Sequence, residues 1–123
     1  MKKISFTTCL MLFFWMSCTN DTFVPSGMDC EVDVTYDTNM KDIIDRNCAY
    51  SGCHSGTPGT PGNYVTYQGM QIHFGGEIAD RVLARQNDTV FGMPPNYAEG
   101  PVDLSPEDFM LLNCWINQEF PEN

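Results

Sequence analysis

The chain has 123 residues, enough for one domain, and a formal net charge of −10. This acidic charge argues against nucleic-acid binding, which needs a basic surface. It also argues against electrostatic adsorption to anionic lipid. The charge favours either solubility alone or a basic docking partner that is attracted over long range.

Residues 1–18 are interpreted as a targeting segment. The apolar stretch from Ile4 to Met16 follows two lysines and is short for a membrane span, as in a secretory signal. Cys18 follows a small residue, as in a bacterial lipobox, so we expect it to be lipidated and to anchor the protein to the membrane. Trp15 departs from that pattern, and ordinary signal cleavage is the alternative. The protein would be exported and face the periplasm or the cell surface.

Residues 19–33 are predicted to form a polar tether, and the folded domain is predicted to span residues 34–121. Its first helix is expected over residues 38–47, with Thr38 or Asp37 as the N-cap. The apolar residues of this helix recur at helical spacing and would face the core: Met40, Ile43 and Ile44.

Cys48, Cys53 and His54 form the most informative motif in the chain. Two thiols followed at once by a histidine is the pattern that attaches a c-type haem, because each thiol adds to one vinyl group and the imidazole lies beneath the iron. Four residues separate the cysteines where two are usual. Ser51 and Gly52 suit the bulge that this longer spacing requires, because glycine tolerates positive φ.

Apart from Cys18, four cysteines remain after removal of the signal segment: Cys30, Cys48, Cys53 and Cys114. Thiols oxidise outside the cytoplasm, so these cysteines also permit two disulfides in a protein without a cofactor. The haem interpretation uses Cys48 and Cys53, and it leaves Cys30 and Cys114 as one disulfide candidate.

Zinc is a third interpretation of the same motif. The two cysteines and the histidine would supply three ligands, and His73 or Cys114 a fourth. Adjacent cysteine and histidine side chains rarely reach one tetrahedral ion, and the spacing around the fourth ligand matches no zinc motif. Haem is therefore the favoured interpretation.

Loops and short helices are predicted between the cysteine motif and the last helix. Residues 55–63 form a loop rich in glycine and proline, and residues 64–71 are compatible with a short helix or a turn. A helix is predicted over residues 76–86, followed by an irregular loop around Met93 over residues 91–102.

The last helix has the clearest signals. Ser105 is predicted as its N-cap, Pro106 takes the first helical position, and two acidic residues follow. Pro121 is predicted to end it. An apolar stripe follows the helical period: Phe109, Leu112, Trp115 and Ile116.

In this order, the segments resemble the small single-haem cytochrome c domains of exported bacterial proteins. The resemblance rests on the Cys48–His54 motif, on Met93-Pro94-Pro95 and on the final helix with Trp115-Ile116, and it covers residues 34–121. It implies an all-α, cytochrome c-like fold with three to four short helices around one covalently attached haem c. Helices too short to pack well alone would pack on the porphyrin.

The resemblance also implies a role for each residue of the site. Cys48 and Cys53 would form the thioether bonds to the haem. His54 would bind the iron from one side, and the sulfur of Met93 would be the second axial ligand.

Two further expectations concern the axial ligands. The second ring nitrogen of His54 would donate to a backbone carbonyl near Pro58 or Pro61, which fixes the ring. His73 is the rival of Met93 as the sixth ligand, but no proline stiffens the chain around it.

The expected function is electron transfer by an exported mono-haem lipoprotein, since an iron with both axial positions filled has no open site for substrate. The chain is not expected to be an enzyme. We expect a redox partner with a basic docking face and no nucleic-acid partner. The alternatives are a haem enzyme or sensor with an open or His-ligated sixth position, and a disulfide-stapled structural lipoprotein without a cofactor.

Overall fold

A computed structural model describes residues 30–101 and 103–123. The signal segment, Cys18 and most of the predicted tether lie outside these residues. Over the described ranges the backbone forms four short helices and no strand, with one isolated antiparallel bridge between Ser55 and Asn63. The expectation of an all-helical architecture is confirmed at this level. None of the helices in these two ranges has the length and apolar character to cross a membrane.

Helix α1 consists of a π-helical stretch, Tyr36–Met40, that continues directly into an α-helical one, Lys41–Asn47. The predicted N-cap, Thr38 or Asp37, is wrong. The helix begins earlier because Thr35 is extended and its hydroxyl accepts a hydrogen bond from the Thr38 N–H at 3.2 Å. The predicted apolar face is buried in the core: Met40, Ile43 and Ile44.

Helix α2 is a single α-helical turn, Tyr67–Met70, that tightens into a 3₁₀ turn at Gln71–His73. Its N-cap is Thr66, whose hydroxyl accepts from the Gly69 N–H at 3.1 Å. The sequence left residues 64–71 open between a short helix and a turn, and the structure has a short helix there that begins at Tyr67.

Helix α3 is π-helical over Ala79–Ala84, preceded by helical residues 77–78. The sequence predicted a helix from 76 to 86, which is too long at both ends. Gly76 has a φ of 107°, outside the helical region, and the backbone leaves helical geometry at Arg85.

Helix α4, Pro106–Asn117, begins as predicted. The Ser105 hydroxyl accepts from the Asp108 N–H at 3.1 Å, and Pro106 stands in the first turn, where a missing N–H has no cost. The predicted end at Pro121 is wrong. The helix stops at Asn117, and the next residues turn the chain back, with φ of 62° and 59° at Glu119 and Phe120.

Helices α1 and α4 pack together at the centre of the domain, and Trp115 of α4 is completely buried there. A disulfide joins Cys30 to Cys114, with 5.5 Å between their Cα atoms. Arg46 adds an ion pair between the two helices, since it donates to both carboxylate oxygens of Asp108 at 3.0 Å.

The C-terminal tail connects the same two helices. The Pro121 carbonyl accepts from the Tyr36 N–H at 2.9 Å and from the Trp115 indole N–H at 2.9 Å. The Glu122 carbonyl accepts from the Asp37 N–H at 3.0 Å. The tail therefore satisfies N–H groups in the first turn of α1, which no helix can satisfy internally.

Candidate functional site

A cavity of about 510 Å³ lies between the helices. All four side chains predicted to hold a haem line it: Cys48, Cys53, His54 and Met93. Much of its wall is apolar and comes from all four helices, including Met40, Ile43, Ile44, Met70, Ile78 and Leu112. The volume falls within the range of about 300–1,000 Å³ typical of ligand and cofactor pockets.

The Cys48–Cys53 spacer folds into a compact turn. The Cys48 N–H donates to the Ile44 carbonyl at 2.8 Å, so the first cysteine directly ends α1. The His54 N–H then donates back to the Cys48 carbonyl at 3.1 Å. Gly52 has a φ of 85°, the left-handed conformation expected for the bulge. The longer spacing therefore still brings both cysteines and the histidine to one wall of the cavity.

Cys48 and Cys53 both carry free thiols. Burial, followed by the proximity of Cys53, raises the pKa of the Cys48 thiol to about 12. A thiol of this kind stays protonated near neutral pH and is a weak nucleophile. The folded protein therefore presents Cys48 as an inert wall of the cavity rather than as a reactive group.

Tyr50 is a site residue that sequence reasoning missed. It lines the cavity, and its ring lies so close to Gly100 that an added Cβ there would come within 2.8 Å of ring carbons. Burial, followed by a hydrogen bond with Cys53, raises the pKa of Tyr50. Because the contact with Gly100 joins distant parts of the chain, no local sequence signal identifies it.

The ring nitrogen Nδ1 of His54 donates to the Pro61 carbonyl. This is one of the two carbonyl positions expected from the sequence, and it leaves Nε2 as the nitrogen for a ligand bond. Burial is the main cause that lowers the pKa of His54. The imidazole therefore remains neutral to a lower pH than usual, as metal ligation requires.

His73 also lines the cavity. Its Nδ1 lies 2.6 Å from a carboxylate oxygen of Glu77, whose pKa is lowered chiefly by this hydrogen bond. Its Nε2 is buried and has no hydrogen-bond partner among the residues that the structure describes. A Cβ on Gly62 would lie 3.1 Å from that Nε2 and 3.7 Å from His54 Nδ1. His73 therefore lies beside the loop that holds the outer nitrogen of His54.

The loop that carries Met93 is fixed to α3. The Met93 N–H donates to the Arg81 carbonyl at 3.0 Å, one of the last four carbonyls of the helix, which lack partners within it. Just before it, the Asp88 carboxylate accepts from the Val90 and Phe91 N–H groups at 2.8 and 3.1 Å. The sequence pointed to the prolines after Met93 as the stiffening element, but not to this attachment.

Cys114 is held in the disulfide with Cys30, so the zinc arrangement that used it as fourth ligand is wrong. Among residues 30–101 and 103–123, no group of three or more His, Cys, Asp or Glu side chains is placed to hold a metal ion. Tyr67 is not among the residues that line the cavity. Its hydroxyl donates to the Phe120 carbonyl at 2.7 Å instead.

No protein-family model, curated protein or solved structure matches the chain. The site is therefore interpreted from its own groups, which are two thiols, a fixed neutral imidazole and a thioether around an apolar cavity. Thiols suit covalent attachment to a porphyrin, and imidazole with thioether is an axial pair for its iron. The residues present fit a haem c.

Proposed function

We propose that the chain is a c-type cytochrome, a one-electron carrier with one haem c. Cys48 and Cys53 would form the thioether bonds, and His54 and Met93 would be the axial ligands. One observation carries the proposal, namely that the Cys48–His54 motif and Met93, which is distant from it in the sequence, line one largely apolar cavity. The all-helical architecture is compatible with a cytochrome c-like fold.

When bound, the haem supplies an Fe(III)/Fe(II) couple that accepts one electron from a donor and passes it to an acceptor without making or breaking a bond. The chain's own residues bury and orient the group. The apolar walls would exclude water from the bound group, and the Pro61 carbonyl holds the His54 ring through Nδ1. With both axial positions filled, the protein would act as a carrier rather than as an enzyme.

The geometry favours Met93 over His73 as the sixth ligand. Two axial ligands must approach the iron from opposite faces. His73 Nε2 lies close to Gly62, in the loop that holds the outer nitrogen of His54, so His73 would lie on the same side of the haem as the first ligand. Met93 has a backbone attachment to α3 instead, which supports a fixed position for its sulfur.

Several features support an exported carrier with a charged partner. The Cys30–Cys114 disulfide suits an oxidising compartment outside the cytoplasm. The net charge of −10 supports a redox partner with a basic docking face. Ile72 and Tyr97 line the cavity yet are 78% and 80% exposed, so they would form an apolar rim where the partner meets the haem edge. Lipidation at Cys18 remains part of the proposal.

Covalent attachment is tested by expressing the protein together with haem-attachment machinery and staining a denatured, reduced gel for haem peroxidase activity. Thioether bonds survive both treatments, so we expect a stained band and an intact mass increased by one haem. Replacing Cys48 and Cys53 by alanine should abolish the stain. The matched control replaces the other pair, Cys30 and Cys114, and should keep it. A colourless wild-type band would contradict the proposal and favour the cofactor-free lipoprotein.

The axial ligand is tested on the haem-loaded protein. Thioether ligation gives ferric haem a weak far-red absorption band, which Met93→Ala should abolish while opening the ferrous iron to carbon monoxide. His73→Ala should retain the band. Carbon monoxide binding by the wild type would instead favour the haem enzyme or sensor alternative.

A further inference from the structure

Tyr64 stacks on the imidazole of His54. The two rings are nearly parallel, with 8° between their planes and 4.0 Å between their centroids. The backbone sets this arrangement, because the Tyr64 N–H donates to the His54 carbonyl at 2.8 Å and the bridge between Ser55 and Asn63 closes the loop between them. The chain therefore folds back so that Tyr64 covers one face of the imidazole.

A second contact holds the Tyr64 ring itself. The His73 ring meets it at 61°, with 5.3 Å between centroids, and Glu77 fixes the His73 ring at 2.6 Å. Gly62 leaves room for this packing, since a Cβ there would lie 3.1 Å from His73 Nε2 and 3.5 Å from the Tyr64 ring. These contacts hold the Tyr64 ring independently of the His54 ring.

The stack restrains His54 in a way that its hydrogen bond does not. A single hydrogen bond from Nδ1 to Pro61 tolerates a range of ring rotations, because hydrogen-bond angles are broadly distributed. A parallel ring narrows that range, because rotation would drive imidazole atoms into the Tyr64 face or separate the two faces. The hydrogen bond fixes one edge of the imidazole, and Tyr64 fixes its plane.

We propose that Tyr64 is a positioning residue that sets the angle of the His54 imidazole plane about the iron–nitrogen axis, an inference that rests on the proposed haem site. In ferric low-spin haem this angle determines how the unpaired electron is distributed over the porphyrin. Tyr64 therefore tunes the electronic state of the carrier without touching the iron.

The test is proton NMR of the ferric haem-loaded protein, in which the unpaired electron shifts the haem-methyl resonances in a pattern that follows the imidazole angle. Tyr64→Phe keeps the stacked ring and is the matched control, so it should retain the wild-type order of resonances. Tyr64→Leu removes the ring but keeps an apolar side chain. We expect it to reorder the methyl resonances or compress their spread, and to shift the reduction potential.

An identical methyl pattern in the wild type and Tyr64→Leu would overturn the inference. If far-UV circular dichroism shows that the leucine variant is unfolded, Tyr64→Met provides a ring-free side chain that adapts to irregular space. Failure of the proposed function is distinguishable, because a wild-type protein without covalent haem shows no shifted methyl resonances at all, and it would overturn both proposals.

Discussion

Replacing both Cys30 and Cys114 by alanine removes the disulfide that connects the start of the described chain to α4. The two positions are 84 residues apart in sequence. For a loop of that length, the chain-entropy treatment gives a loss of about 4.5 kcal/mol in unfolding free energy at 25 °C. Alanine is preferred to serine because Cys114 is only 2% exposed, and a buried hydroxyl without a partner costs a further ~1–3 kcal/mol.

The native structure should survive this change. The Gln118 side chain also holds the entering segment, since its amide accepts from the Val34 N–H at 2.9 Å and donates to the Val32 carbonyl at 2.8 Å. The loss should therefore arise from the greater entropy of the unfolded chain.

Urea unfolding of the wild type and the double variant measures the effect, with chemically reduced wild type as a control that needs no substitution. The expected result is a lower midpoint with little loss of native helical signal. A difference below about 1 kcal/mol would refute the chain-entropy reasoning for this bridge.

Three further predictions concern the site and its proposed partner. Gly92→Ala should destabilise the protein by ~1–3 kcal/mol and weaken the far-red band, because its Cβ would lie 2.3 Å from the Arg85 carbonyl oxygen, next to Met93. Gly75→Ala is its control, since an added Cβ there meets no atom of the described residues within 4 Å. An equal effect in both variants would contradict the steric reasoning. In haem-free folded protein, iodoacetamide at mildly alkaline pH should modify Cys48 slowly, and rapidly after unfolding, because burial raises its pKa to about 12. Peptide mapping measures both rates, and equal rates would count against burial. Electron-transfer rates with a basic partner should fall as the salt concentration rises. Stopped-flow kinetics measures these rates, and a salt-independent rate would remove electrostatic steering from the proposal.

Local signals in the sequence predicted the start of α4 but not the start of α1, which Thr35 caps in place of Thr38 or Asp37. Ser105 and Pro106 marked the start of α4 because capping depends on residues within one turn. The bulge at Gly52 was also predictable, since positive φ is a property of single residues. The end of α4 was not predictable, because the helix stops at Asn117 and tertiary packing turns the chain at Glu119 and Phe120. The Phe120 ring stacks on Phe74 at 4.3 Å.

The residues that support the site were harder to predict than the residues that would bind the cofactor. The type and spacing of Cys48, Cys53 and His54 indicated their chemistry, and the family resemblance implied the role of Met93. The contacts of Tyr64 with His54, of Tyr50 with Gly100 and of the Met93 loop with α3 depend on how separate segments fold back on one another. Tyrosine and glycine have many uses in a domain, so neither residue indicates such a role until the three-dimensional structure is known.

The attachment of the C-terminal tail to α1 has a consequence for the order of maturation. The Tyr36 and Asp37 N–H groups donate to the carbonyls of Pro121 and Glu122, so the first turn of α1 reaches its final hydrogen bonding only after the tail has docked. Before that docking, Cys48 would be less buried, and burial would raise the pKa of its thiol less than it does in the folded protein. On the proposed function, the thioether bonds to the haem would form before the tail docks, and docking of the tail would then enclose the bound haem.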